Sequence, residues 1–358
     1  MRVMDKDQVL QFVRDRKSSF DASGEINPFA SSDWMLHFIE QVAERNWSFI
    51  VAANSPHDDT FMLLHRVSSG HGMSAVANYY SSLYSPIIGS WDPSAEILNE
   101  IIRDLSRGRP RPSTVDLSPL ADPGRRVSAL RDAFASNGWY AKQYFCFGNW
   151  YLPTEGLRYS DYIAARTSQV QNTLARKSRK FDGKKARIDI ATTTDQVEIA
   201  LEAFASVYAK SWKKPEPYPE FVPGWARICA RNGWLRLGVA WLDAIPIAAQ
   251  FWFTKNRRAY IFKLAYDEEY SKWSAGTVLT AFMIKHSLEQ DGVIEIDYLT
   301  GDDAYKKAWM SERRERVGIR ACNLRSSRGL LNAAFEKAGD FRRQWSNSLG
   351  TGRTNPRD

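Results

Sequence analysis

A run of small residues, Ser274-Ala275-Gly276-Thr277, opens a helical pattern and is the first place where chemistry could be done. The first N–H groups of a helix lack backbone partners, and the helix dipole is positive there. Small side chains let an anion approach those groups, which suits the pyrophosphate of a nucleotide-like cofactor. The same run also fits an ordinary helix start with serine as its N-cap. Downstream come Asp297, Asp302-Asp303, Tyr305 and Lys306-Lys307. Asp297 could take a proton as a general base, or it could bond the Gly301 turn or pair with Lys306. Asp303 could meet a substrate or cap the next helix. Lys306 could hold a phosphate or steady a developing oxyanion, unless the lysine pair is a solvated helix face. Lys263 interrupts an apolar strand and faces either a cleft or the wet side of a sheet.

The elements that must hold these residues form a β-loop-α-β unit over 258–309. Residues 259–265 alternate aromatic and apolar positions and predict a strand. Residues 267–274 are polar. Residues 277–290 place Val278, Leu279, Phe282, Met283 and Ile284 at helical spacing, and Gly292 closes the helix. Residues 293–299 predict a second strand. Before this unit come a strand at 187–193, helices at 195–212 and 221–231, and strands at 234–241, 246–253 and 258–265. Asp243-Ala244 and Lys255-Asn256 mark the turns between those strands. After it come a helix at 303–315, a strand at 319–324 and a helix at 327–345.

The first half follows a similar order. A helix at 34–45, capped by Ser32 or Asp33, precedes strands at 47–53, 60–67 and 73–80. A helix at 94–105, a strand at 113–117, a helix at 126–136 and a strand at 140–152 follow. Its opening strand is not apparent. The repeat is one of element order, with one local echo. Thr114-Val115-Asp116-Leu117 and Glu295-Ile296-Asp297-Tyr298 both place an aspartate on the strand after a central helix. The expected domains are 1–155 and 156–345, with a polar, mobile tail at 346–358.

At 358 residues with 44% apolar content, the chain can bury two ordinary cores and is not disordered. The formal charge of +8 favours anionic partners: phosphate-bearing cofactors, nucleic acid or a membrane surface. A long basic helix is expected at 159–181, and its cations continue to Arg187. Such a cluster can hold phosphate, lipid headgroups or RNA, or can simply be solvated. No base-stacking aromatics accompany it, so sequence-specific nucleic-acid reading is not expected. The three cysteines lack metal-ligand spacing, as do His37, His57, His65 and His71, so no metal is expected. Cysteine usage fits a reduced, cytoplasmic compartment. No signal peptide is expected, and no apolar stretch of about 18 residues could span a membrane.

The element order resembles that of the GNAT acyltransferase fold. Its duplicated arrangement resembles the FemAB-like, BioF2-like or CelD-like acetyltransferase group. The residues that carry this are Phe262-Lys263-Leu264-Ala265-Tyr266-Asp267, Tyr270, Ser274-Ala275-Gly276, and Asp297 through Gly301 to Trp309, with Ile247-Ala248-Ala249 upstream. The resemblance implies an α/β fold of tandem GNAT-like domains, each a twisted mixed sheet flanked by helices. The first domain matches by order alone. The resemblance also implies transfer of an acyl group, usually acetyl from acetyl-CoA, to an amine or hydroxyl. An amino sugar or cell-envelope polysaccharide precursor is the implied acceptor. The strand through Leu264, Ala265 and Tyr266 would pair with the donor's pantetheine arm, with a backbone N–H near Leu264 or Ala265 polarising the carbonyl. Ser274, Ala275, Gly276 and Thr277 would hold the pyrophosphate. Tyr305 would protonate the thiolate, with Asp297 and Lys306 as its catalytic partners and Lys263 and Asp303 on the substrate side. The chain departs from the usual GNAT pattern by lacking the Gln/Arg-x-x-Gly-x-Gly/Ala loop. The FemAB branch instead takes its acyl group from aminoacyl-tRNA to a peptidoglycan precursor. A non-catalytic scaffold in envelope synthesis is the third reading.

Overall fold

The computed structural model describes residues 1–350 apart from 54, 56, 57, 68, 69, 91, 110, 122, 123 and 182–184, with side chains through residue 339 except that of Val67. Among the described residues the strands are β1 (Arg2–Met4), β2 (Trp47–Ala53), β3 (Phe61–Val67), β4 (Gly72–Ala75), β5 (Thr114–Leu120), β6 (Trp139–Pro153), β7 (Ala186–Ala191), β8 (Leu235–Leu242), β9 (Ile245–Lys255), β10 (Arg258–Tyr266), β11 (Glu295–Asp297) and β12 (Glu312–Asn323). With its interleaved helices the fold is mixed α/β, as expected.

The chain divides into two compact units. The first comprises Met1–Ser23, Glu44–Cys146 and Arg316–Asp358; the second comprises Gly24–Ala43 and Phe147–Glu315. In the first, the strands run β1-β2-β3-β4-β5-β12, antiparallel throughout except for the parallel pair β4–β5. In the second they run β7-β8-β9-β10-β11-β6, again with one parallel pair, β10–β11. A helix crosses between the parallel neighbours in each unit, Ala95–Arg107 in the first and Ala275–Glu289 in the second. Parallel neighbours need such a crossover, because a tight turn cannot join them.

The units are therefore not the linear halves 1–155 and 156–345. Each closes its sheet with a strand drawn from the other half of the sequence. Val317–Cys322 of β12 pair with β5, and Tyr151–Pro153 of β6 pair with β11. The helix Ser32–Val42 also belongs to the second unit. There Trp34 meets Phe221 and Trp225 edge-on at 5.5 and 4.8 Å. The His37 ring bonds the Phe221 carbonyl at 2.8 Å.

Three further expectations are corrected. The basic stretch is two helices, Tyr159–Ala164 and Ser168–Lys177, followed by the 3-10 turn Ser178–Phe181. It breaks where the Thr167 hydroxyl caps the second helix at the Val170 N–H. Lys184 lies outside the described residues. The helix expected at 303–315 stops at Trp309, and residues from Glu312 onward extend as β12. Extended backbone sends Arg313 and Arg314 to opposite faces, where each finds acidic partners. The final helix runs Ser327–Gly350, so residues 346–350 of the expected tail are helical; residues 351–358 lie outside the described set. The missing opening strand of the first half is β1, three residues long and paired with β2.

A pH prediction arises in the first unit. His65 is buried on β3 and stacks on Trp47 at 3.8 Å, with Nδ1 3.0 Å from the Ala75 carbonyl. Burial pushes its pKa from 6.5 down to about 4, against the pull of its backbone hydrogen bonds. The unfolded chain therefore binds a proton that the folded chain refuses. Stability is full above pH 6.5 and is lost as pH falls toward 4, by roughly 3 kcal/mol from this group. Urea unfolding followed by tryptophan fluorescence at pH 7, 5.5 and 4 measures the slope, and His65→Phe should flatten it.

Candidate active site

All residues of the site lie in the second unit. Strand β10 ends at Tyr266, and the next residue, Asp267, is a buried carboxylate whose Oδ1 accepts the Glu269 N–H at 3.0 Å. That bond starts the 3-10 turn Glu268–Trp273, and Ser274 then takes φ 54°, ψ 34°. This left-handed geometry is uncommon for a residue with a side chain and carries local strain. It also turns the Ser274 hydroxyl away from capping the helix Ala275–Glu289. Among the described residues, the N–H groups of Ala275, Gly276 and Thr277 are left without partners. Ser274, Gly276 and Thr277 are only half-buried.

The base of this helix start is pinned from below. Gln250, buried in apolar β9, donates to the Gly276 carbonyl at 3.1 Å and to the Thr280 hydroxyl at 2.7 Å. Trp252 Nε1 in turn donates to Gln250 Oε1 at 2.9 Å. The basic segment stands at the side of the same bend. Lys177 Nζ donates to the Lys272 carbonyl at 2.7 Å, and Lys180 Nζ lies 5.0 Å from the Trp273 ring centre.

The strand leading into this bend has an open edge. β10 and β11 pair only from Arg258↔Glu295 to Tyr260↔Asp297. Beyond Tyr260, β10 keeps its β9 partners alone, and its register slips between Ile261 and Lys263. A bulge of this kind bends a strand and re-aims its side chains. Leu264, Ala265 and Tyr266 lie along the unpaired edge. The edge ends at the helix start: a Cβ placed on Gly276 would lie 3.6 Å from the Tyr266 ring.

Tyr305 reaches this helix from the short segment Ala304–Trp309. Its hydroxyl lies 3.1 Å from Thr280 Oγ1. The residue as a whole is 40% exposed, but its hydroxyl end is enclosed against Thr280, and that enclosure raises the phenol's pKa, so it remains protonated at neutral pH. Asp303 is the N-cap of that segment, accepting the Lys306 N–H at 3.0 Å. Asp302 instead accepts from Trp150 Nε1 at 2.7 Å and from Arg313 at 2.7 Å. Lys306 is largely buried; it donates to the Thr300 carbonyl and lies 5.3 Å over the Tyr298 ring. Burial lowers its pKa, opposed by Asp303 and Asp297.

Asp297 is engaged on both oxygens. Oδ1 accepts from Asn149 Nδ2 at 2.6 Å and from the Leu299 N–H at 2.7 Å; Oδ2 accepts from Arg314 at 2.5 Å. The same guanidinium holds Glu295 at 2.9 Å and Asn149 Oδ1 at 2.6 Å, and it lies 4.3 Å over Tyr151. A second charged cluster forms around Lys263, on the bulged part of β10. Its Nζ donates to Glu216 at 2.5 Å, and Glu216 also accepts from Tyr208 Oη at 2.6 Å. Lys213 lies 5.9 Å over the Tyr208 ring. Burial first, and Lys263 second, push the Lys213 pKa down to about 8.

Of the residues singled out in the sequence, the helix start, Tyr305, Lys263 and Lys306 all lie in the second unit; Gln250, Arg314, Asn149, Glu216 and Lys213 contact them or their neighbours and were not singled out. Gln250 had a signal: it is the one polar residue in an apolar run from Ile247 to Phe253. Lys213 and Glu216 sit in a Lys-Lys-Pro-Glu-Pro loop that gave no hint of what it packs against.

Comparison with known proteins bears on this geometry. Residues 168–307 match the family described as acetyltransferase (GNAT) domain. No curated protein matches the sequence. Among solved structures the chain is similar to FemX, with TM-score 0.58 and 10% identity, covering 90% of this chain and 97% of that one. It is similar to a conserved protein of unknown function from Bacteroides thetaiotaomicron VPI-5482, with TM-score 0.55 and 12% identity, covering 87% and 97%. It is also similar to L-PGS from Bacillus licheniformis, with TM-score 0.51 and 10% identity, covering 91% and 96%. At these identities the likeness is one of fold.

Proposed function

We propose, from the match of residues 168–307 to an acetyltransferase (GNAT) domain, that the chain moves an acyl group, acetyl in the simplest case, from acyl-CoA to an amine or hydroxyl. The observation that carries this reading is the conjunction at Gly276: an uncapped helix start beside the unpaired edge of β10. Backbone N–H groups at the helix start suit the donor's diphosphate, and the open edge suits its amide-bearing arm. N–H groups near Leu264 and Ala265 would polarise the thioester carbonyl.

In the transfer, the acceptor's nitrogen or oxygen bonds to the carbonyl carbon, and the carbon–sulfur bond breaks. Tyr305 supplies the proton that the departing thiolate takes, and the proton shed by the acceptor's nitrogen or oxygen returns to the phenolate through solvent. Asp297, with both oxygens engaged, serves best as the anchor that orients Arg314 and the turn at Leu299; its expected part as general base is the alternative that substitution separates. Around the bulged part of β10, Lys213 and Lys263 face Glu216 alone among the acids described there, and on that local balance the acceptor carries an anionic group. A phosphorylated or acidic amino sugar, or a related cell-envelope precursor, is of that class.

The test is thiol release. Purified protein, acetyl-CoA and a panel of amines, sugars and their phosphates are followed with a thiol reagent and mass spectrometry. Acceptor-dependent release with a matching acetylated product supports the reading; no release across the panel counts against it. A pH prediction follows from Lys213. Its charge is lost as pH rises through about 8, so KM for an anionic acceptor should climb above that pH. Lys213→Met should show the high KM at every pH.

A second reading, transfer from aminoacyl-tRNA, is favoured by the cations Lys177 and Lys180 beside the helix start. Tight, salt-sensitive tRNA binding with no CoA binding would select it.

A further inference from the structure

Gln250, Thr280 and Tyr305 join the open helix start to the phenol, and the middle one has more partners than protons. Gln250 is buried in apolar β9. An indole N–H only donates, and Trp252 Nε1 donates to Gln250 Oε1. The amide is thereby fixed with its NH₂ end toward the helix Ala275–Glu289. That end has two hydrogens, and it serves both the Thr280 hydroxyl and the Gly276 carbonyl.

Thr280 is wholly buried. Its Oγ1 accepts from Gln250 and lies 2.9 Å from the Gly276 carbonyl and 3.1 Å from the Tyr305 hydroxyl. A threonine hydroxyl carries one hydrogen. At rest it goes to the Gly276 carbonyl, and the phenol is the donor toward Oγ1. A phenol that has given up its proton no longer donates and needs a donor instead. Thr280 becomes that donor by rotation about its C–O bond. The Gly276 carbonyl then keeps Gln250, so no buried polar atom is abandoned by the turn.

The ionisable groups that face this phenol are Tyr298, Tyr162 and Asp303, with Lys306 lying over the Tyr298 ring. The Tyr298 hydroxyl has no hydrogen-bond partner among the described residues. Enclosure is the largest influence on the Tyr305 phenol and raises its pKa; the bond with Thr280 is the next and lowers it.

We propose that Thr280 is a positioning residue for the proton transfer: its hydrogen turns from the Gly276 carbonyl to Tyr305 Oη as the phenol's proton passes to the departing sulfur, and Gln250 holds both partners in place. No proton leaves Thr280. The phenolate is held by the Oγ1–H until the proton shed by the acceptor restores the phenol through solvent. The proposal rests on the acyl-transfer reading with Tyr305 as its acid.

The test begins with 3,5-difluorotyrosine in place of Tyr305, whose phenol titrates at lower pH than that of tyrosine. Fluorine NMR follows it in the full chain. Thr280→Val should raise its midpoint by about one to two pH units, the scale of one hydrogen bond to a charged oxygen. Thr280→Ser should leave it in place. Thiol release is then measured with acetyl-CoA and glucosamine 6-phosphate, or with whichever acceptor of the panel reacts faster. Thr280→Val should lower kcat by about tenfold or more while KM for acetyl-CoA stays within about twofold, and Thr280→Ser should restore the rate. In the Tyr305→Phe background Thr280→Val should cost nothing further, because no phenolate forms there. Near-ultraviolet circular dichroism checks folding, and Thr280→Ala replaces Thr280→Val if that variant is unfolded. An unmoved fluorine titration overturns the role of Thr280 while acyl transfer stands. So does a serine that behaves like the valine, or a valine that slows Tyr305→Phe as much as it slows the wild type. A wild type that releases no thiol with any acceptor fails at the acyl-transfer reading, and the proposal falls with it.

Discussion

Replacing Tyr305 with phenylalanine is expected to lower kcat by about 10²- to 10⁴-fold, the range general acids supply, while donor affinity stays within about threefold, a small change on the scale of a kcal/mol. The ring stays in place in this variant, because its neighbours are aromatic: Tyr298 and Trp309 both have centroids 6.3 Å away. Only the hydroxyl near Thr280 is lost. Thr280 retains its bonds to Gln250 and the Gly276 carbonyl, so the helix start is preserved. Because burial raises the phenol's pKa, the wild type keeps its acid through neutral pH, and loss of activity with rising pH belongs to the alkaline range. Steady-state kinetics across pH, with stopped-flow burst analysis, measures both effects. An unchanged kcat would remove Tyr305 from the proton path.

The largest stability effect is expected at Arg314. This one guanidinium serves Asp297, Glu295 and the Asn149 carbonyl oxygen. Asp297 and Glu295 are 4% and 16% exposed, so neither can turn to water without local opening. Removing the cation from such a pair costs about 3–5 kcal/mol, because the carboxylates stay behind uncompensated. Arg314→Met should lose that much and lower the second unit's thermal midpoint by roughly 10 °C. Asp297→Asn should cost less, about 1–3 kcal/mol, since Glu295 still meets the arginine. Asp297→Asn also separates two roles. An anchor loses stability in proportion to activity, whereas a general base loses activity with stability intact. Thermal melts and kinetics on the same samples decide between them.

Much of this site was legible in the chain. The strand–bend–helix–strand order around Gly276 follows from a period of two changing to a period of 3.6 and back. Lys263 marked itself by being charged in an apolar strand. What could not be read was pairing. Nothing in Ile261–Tyr266 says that β11 leaves it after Tyr260, because splay is a property of two strands and their neighbours. The exchange of closing strands between halves was equally hidden, since Trp139–Pro153 and Glu312–Asn323 look like strands of their own halves. Arg314 was missed because Glu312-Arg313-Arg314-Glu315 has strong helix formers, and tertiary ion pairs overrode that preference. Ser274 was readable as an ordinary N-cap. Only its positive φ shows that its hydroxyl is withdrawn and the helix N–H groups left open.

The proposed transfer requires a phosphorylated thioester carrier to meet those N–H groups, and calorimetric titration of acetyl-CoA into wild type and Gly276→Asp tests this most directly. The fold tolerates a side chain there, since the new Cβ meets Tyr266 only at ordinary contact distance, and an acid in a helix's first turn favours the helix itself. The variant therefore changes charge at the diphosphate position with little cost to stability. Saturable heat in the wild type, weakened at least a hundredfold in Gly276→Asp, is the predicted result. No heat in either protein, or equal heats in both, would contradict it.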